Sequence, residues 1–209
     1  MVERVRRPAG GGLTAIGLDF VDEHVEASVL GVLDGVEAEL RRSVTSADPF
    51  VTEAARHLVD AGGKRFRPLL VALGAQFGDP TGADVVKAAV VMELTHLATL
   101  YHDDVMDEAM LRRGAESANA RWDNHVSILA GDWLFSKSSE LTADLGADAV
   151  RIQAQTFSRL VEGQILETQP PATPEQAVDH HLRVIAGKTG SLIATSAHYG
   201  ALFAGSSPE

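Results

Sequence analysis

The chain has 209 residues, 45% hydrophobic and 22% charged, so it carries enough apolar side chains for a core of ordinary size. A formal net charge of -11 argues against a nucleic-acid partner, which would need a basic stripe, and the absence of cysteine removes any disulfide framework or thiolate metal site. That composition suits a reducing cytoplasm. No transmembrane segment is expected, because the most apolar run, residues 88–106, is broken by Glu93, His96, His102 and two aspartates and reads as a buried helix.

Residues 1–17, rich in Gly, Pro and Arg, are expected to form a flexible arm ahead of a single all-α domain over residues 18–209. From 18 to 42, Val25, Val29, Val32, Val36 and Leu40 recur at threes and fours, the spacing of an amphipathic helix. Asp48-Pro49 predicts an N-cap followed by proline at the first helical position, with the helix ending at Gly62-Gly63. In Gly62-Gly63-Lys64-Arg65-Phe66-Arg67-Pro68, two glycines permit a tight turn and three bases gather where the next helix starts. This heptapeptide reads either as an anion site at a helix N-terminus or as a helix end with solvated bases. A helix to Phe77 follows, and Thr81 with Asp84 resembles a capping pair that opens the long central helix.

A polar loop after Gly114 precedes helices at about 117–123, 125–145 and 147–168. Pro170-Pro171 breaks the chain, Thr173-Pro174-Glu175-Gln176 is a capping box, and a last helical pattern at about 176–204 is interrupted by Gly187 and Gly190. Residues 191–205 are apolar nearly all round, a pattern that asks for burial on every side. No strand-type alternation occurs.

The central helix carries the chemistry. Glu93, His96, Leu100, Asp103 and Asp107 step by three or four and share one face. Asp103 and Asp107 lie one turn apart, about 6 Å along the axis, where like charges repel. Either this is a solvated acidic helix end, or the pair holds a divalent cation such as Mg2+, completed by water and substrate phosphates. His96 reads as a hydrogen-bonded core histidine or as a ligand-binding one.

The order of motifs resembles a known family. Gly63-Lys64-Arg65-Phe66-Arg67-Pro68, Asp103-Asp104-Val105-Met106-Asp107, Arg112-Arg113-Gly114, Gly131-Asp132-Trp133-Leu134, Glu162-Gly163-Gln164 and Lys188-Thr189-Gly190 occur as in the N-terminal two-thirds of trans-isoprenyl (polyprenyl) diphosphate synthases. The resemblance implies a helical bundle around a central cavity. It also implies transfer of an allylic prenyl group to isopentenyl diphosphate by Mg2+-assisted ionisation, in a cytoplasmic homodimer. On that resemblance Asp103 and Asp107, helped by Asp104, hold magnesium, and Arg112 contacts the allylic diphosphate. Lys64, Arg67, His96 and Arg113 hold isopentenyl diphosphate, while Lys188, Thr189 and more weakly Gln164 meet the allylic group.

Thr95, Ala98 and Thr99, one and two turns before Asp103, are implied to floor a chain-length tunnel. Their small size implies a long product, which a bulky residue at Ala98 would shorten. The family's second aspartate-rich helix has no counterpart in these residues. The C-terminal helices are therefore expected to be missing and the chain as given to have little activity. Two further readings stay open, a class I terpene cyclase and a non-catalytic subunit of a heteromeric synthase. The bases at Lys64, Arg67 and Arg113 speak against the cyclase.

Overall fold

The computed structural model describes residues 20–207; the expected N-terminal arm lies outside them. Its helices are α1 (Glu23–Ser43), α2 (Pro49–Asp60), α3 (Phe66–Gly74), α4 (Ala83–Met106), α5 (Ala118–Arg121), α6 (Asn124–Asp144), α7 (Ala147–Glu167), α8 (Ala177–Ile185) and α9 (Ser191–Phe203). The fold is all-α, of the isoprenoid-synthase kind. A two-residue antiparallel pair, β1 (Leu111–Arg112) and β2 (Ala115–Glu116), interrupts it.

Helix α4 is the axis, because its apolar residues do not keep to one face. Val90, Val91, Met92, Leu94, Leu97 and Ala98 are all fully buried, and a helix apolar all round needs neighbours all round. Helices α1, α3, α6 and α9 supply them. Tyr101 ties α4 to α2: its hydroxyl donates to the Ala54 carbonyl at 2.5 Å and accepts from the Leu58 amide at 3.2 Å.

Asp48 caps α2 as expected, accepting from the Phe50 amide at 2.8 Å with Pro49 in the first turn. Asp22 caps α1 in the same manner, so that helix starts at Glu23 rather than at residue 18. Three local expectations are corrected. Thr81 donates its hydroxyl back to Asp79 at 2.6 Å instead of capping α4, whose N-cap is Gly82. Thr173 precedes a short 3-10 turn, Pro174–Gln176, with no side-chain cap; its hydroxyl pairs with Glu175 and holds that carboxyl below its usual range. Helix α9 buries Leu192, Thr195, Tyr199 and Gly200 but leaves Ala194, Ala197 and His198 exposed, so it packs from one side.

The unexpected hairpin follows from its turn. Arg113 (φ 55) and Gly114 (φ 79) both take positive φ, the backbone that a two-residue turn of the right twist requires. The tightest helix crossing is between α3 and α9. A Cβ on Gly200 would lie 2.1 Å from the Val71 carbonyl oxygen, and one on Gly74 would lie 2.3 Å from the Ala197 carbonyl oxygen. Gly200→Ala should therefore destabilise the chain by about 1–3 kcal/mol, because backbone must move. Gly31→Ala, on α1 with open space around it, should stabilise by about 0.5–1 kcal/mol. Urea unfolding of the two variants beside the parent reads both signs.

Candidate active site

The Gly62–Arg67 turn, the Arg112-Arg113 hairpin and the middle of α4 converge on one buried carboxylate. Glu93 is 1% exposed. Arg65 reaches it at 3.1 Å and Arg113 at 3.7 Å. Arg65 enters from a left-handed backbone (φ 47) at the start of α3 and also binds Glu37 of α1 and the Val59 carbonyl. Burial works against its charge, but the hydrogen bonds and charges of Glu37 and Glu93 overcome it and raise its pKa. Arg113 donates to the Leu58 carbonyl at 3.0 Å and to that of Gly62. Gly63 must be glycine for two reasons: its φ is +144, and a Cβ would sit 2.7 Å from the Arg113 guanidinium carbon.

Arg67 differs from its neighbours. Its Nε is buried with no hydrogen-bond partner, and among the described residues no carboxylate lies within ion-pair range of it. Burial pushes its pKa down; the Glu93 charge raises it and Arg113 lowers it further. His96 is pushed down to about 2, first by burial and then by the charges of Arg67, Arg113, Arg112 and Arg65. A neutral histidine beside arginines, one of them unpaired, makes a cup short of negative charge. Lys64 is exposed at its rim.

The two hairpin arginines separate because neighbouring positions project to opposite sides. Arg112 turns to Asp104, giving its Nε to Oδ1 at 2.6 Å and a second nitrogen at 2.5 Å. Asp104 is fully buried, and its Oδ2 has no partner. Asp104, expected to help Asp103 and Asp107, here pairs with and orients Arg112.

Asp103 is half-buried and lines a cavity of about 390 Å3 with Thr99, His102, Phe157, Leu160 and Gln164. Burial pushes its carboxyl up, the Lys188 charge pulls it down, and Asp107 pushes it up again. Asp107 itself is exposed. Lys188 has its amino group held by Glu167 at 2.5 Å. It stands on a π-helical turn, Ala186–Gly190, between α8 and α9, a distortion common at functional sites. Gly163 and Gly187 allow this turn to touch α7, since a Cβ on Gly163 would lie 2.3 Å from the Lys188 amide nitrogen. Thr189 is exposed.

Of the three expected tunnel residues, Thr99 alone lines the cavity. Ala98 is buried against α6, its carbonyl 3.1 Å from where a Gly131 Cβ would lie. Thr95 is locked in a buried network with Ser138 at 2.8 Å and Gln153 at 3.2 Å. Phe157, which sequence reading passed over, takes their place. Its signal was present: residues 157, 160, 161 and 164 step by threes and fours on α7 and share a face with Gln164. Glu37 and Glu167 gave none, as acidic residues on exposed helix faces are ordinary.

A family model for polyprenyl synthetase matches residues 48–209. The chain belongs to this family. It is 47% identical over 194 residues to the nonaprenyl diphosphate synthase of Mycobacterium tuberculosis, which covers 92% of this chain and 58% of that protein. It is 43% identical to heptaprenyl diphosphate synthase component 2 of Geobacillus stearothermophilus, over 85% of this chain and 55% of the relative. A geranylgeranyl pyrophosphate synthase from Corynebacterium glutamicum, solved in complex with calcium and isoprenyl diphosphate, superposes with a TM-score of 0.80 and 46% identity. That match covers 91% of this chain and 59% of the other. The chain thus spans less than two-thirds of the length of these relatives. Among the described residues no helix is long and apolar enough to cross a membrane.

His96 should stay uncharged well below the usual histidine range. Because its folded pKa lies below the unfolded 6.5, the unfolded chain binds more protons between the two, and stability should fall as pH drops from 6.5 toward 2. In 15N spectra at pH 5, His96 should still show neutral ring shifts; a protonated His96 would refute the buried cup.

Proposed function

We propose that this polyprenyl synthetase family chain binds isopentenyl diphosphate and an allylic prenyl diphosphate, and that it supplies half of the site that couples them into a longer all-trans polyprenyl diphosphate. The observation that carries this reading is Asp103 lining an apolar cavity on the same helix whose His96 and Glu93 gather buried arginines, with the Lys188 charge acting on the Asp103 carboxyl. One face suits a charged diphosphate and the other an isoprenoid chain.

In this reading Lys64, Arg67, His96 and Arg113 hold isopentenyl diphosphate. The free Arg67 Nε takes a phosphate oxygen, and guanidinium suits phosphate because its fork binds two oxygens. Lys188 leaves Glu167 for the allylic diphosphate, and Arg112, oriented by Asp104, meets the same group. Phe157, Leu160 and Thr99 exclude water from the allylic carbon while its C–O bond breaks. Gln164 and Thr189 sit at the edge of this space. Asp103 and Asp107 fit a magnesium ion as two carboxylates one turn apart, the share that protein ligands commonly give when substrate phosphates and water fill the rest. Bound there, magnesium would neutralise charge building on the departing pyrophosphate. The coupled product loses its proton to that pyrophosphate, so no protein nucleophile is needed.

A long product is supported by relatives named nonaprenyl and heptaprenyl synthases. For assembly a homodimer is the first reading, and similarity to a protein named component 2 favours a different partner subunit as the second. Light scattering of the purified chain alone decides between them, as a monomer would favour the second.

Two carboxylates make only part of a metal shell, so the 209-residue chain should bind both diphosphates with Mg2+ yet turn over slowly or not at all. Robust condensation by the pure chain would overturn that half-site reading. In calorimetry, Arg67→Ala should weaken isopentenyl diphosphate binding about tenfold to a hundredfold, the loss of one charge-assisted contact. Asp103→Asn should abolish the Mg2+ dependence of allylic diphosphate binding while leaving isopentenyl diphosphate binding unchanged. Equal loss of both ligands in either variant would count against two separate subsites.

A further inference from the structure

The hairpin that carries Arg112 and Arg113 is docked on the last turns of α2. At its tip Arg113 donates to the Leu58 carbonyl at 3.0 Å. At its base the His57 ring stands beside β2, with Nε2 2.7 Å from the carbonyl oxygen of Glu116. A carbonyl only accepts, so His57 carries its proton on Nε2 and leaves Nδ1 as an acceptor. Arg121 offers Nη1 to that Nδ1 at 3.4 Å and is itself paired with Glu53 of α2. The Trp122 ring meets His57 edge to face, 5.2 Å between centroids. Position, orientation and tautomer of the imidazole are all fixed. Ser117 and Asn119, by contrast, both donate to the Ala109 carbonyl and close the hairpin on its own loop without joining it to α2.

We propose that His57 is a positioning residue, whose bond to Glu116 sets the angle at which the hairpin presents Arg112 and Arg113 to a diphosphate. Among the described residues, every other hydrogen bond or ion pair from residues 111–116 to another element runs through the side chain of Arg112 or Arg113. Those two side chains must turn toward a ligand when it arrives. His57 grips backbone instead, so it holds the hairpin while they do. A ribbon with two residues in each strand has little stiffness of its own. Because Glu116 pairs with Leu111 and Ala115 with Arg112, a shift of the Glu116 carbonyl carries the arginine-bearing strand with it. This rests on the proposed function, because the ligand that meets the two arginines is a diphosphate.

The test titrates isopentenyl diphosphate into the 209-residue chain by calorimetry. His57→Leu keeps bulk against Trp122 but donates nothing, and should weaken binding about threefold to tenfold, the loss of one hydrogen bond. His57→Gln, whose side-chain amide can reach the same carbonyl, should stay within about twofold of the parent. In an Arg113→Ala background His57→Leu should cost little more, since a residue that acts through Arg113 then has nothing to position. Unchanged binding in His57→Leu overturns the proposal, as does an equal loss in His57→Gln. The full loss repeated in the Arg113→Ala background also overturns it, because general support of the fold would act in either background. One measurement on the parent needs no variant to fold: long-range proton–nitrogen spectra in mildly alkaline buffer should place the His57 proton on Nε2, and a proton on Nδ1 sinks the idea. A parent chain with that tautomer that binds no isopentenyl diphosphate would instead bring down the proposed function beneath it.

Discussion

One buried carboxylate holds the anion-binding end of this molecule together. Glu93 sits in the middle of α4, out of water, and receives Arg65 from the turn before α3 and Arg113 from the hairpin after α4. A charge in that position is tolerable only with partners, since an unpaired buried ion costs several kcal/mol. The pairing draws three segments distant in the chain to one point. With Glu37 it also leaves the local balance positive. The arginines that neutralise Glu93 are spoken for, Arg67 is not, and His96 stays neutral beside them. The cup is thus electrostatically incomplete.

The opposite end is organised by close backbone approach. The π-helical turn that carries Lys188 lies directly on α7, where Gly163 and Gly187 offer no side chains to hold the segments apart. Glu167 holds the lysine amino group. Asp104 performs a comparable service for Arg112. In both cases an acidic residue fixes the direction of a base. Between the two polar ends the apolar space is bounded by rings and leucine, so ionisable ends and a greasy middle match an amphipathic substrate.

Much of this was legible in the chain itself. The threes-and-fours spacing of apolar residues, the Asp-Pro cap and the paired glycines specify local backbone, which sequence neighbours decide. Asp103, Asp107, Lys64, Arg67 and Arg113 stand out in motifs, because ligand chemistry restricts which residue types can stand together. The pairing of Asp104 with Arg112 was not legible, since adjacent aspartates look alike until the helix phase is fixed against its neighbours. Nor was the burial of Thr95 and Ala98: with Thr99 they are all small, but the packing of α6 against α4 covers the first two.

The sequence by itself determined helix content, the axis helix and the set of charged groups gathered along it, because these depend on periodicity and side-chain chemistry. Tertiary structure alone decided which arginine is paired and which is free, which aspartate turns away, and that Phe157 rather than Ala98 bounds the cavity. Those are questions of orientation between elements far apart in the chain, and orientation is settled by packing around α4, which no local pattern records.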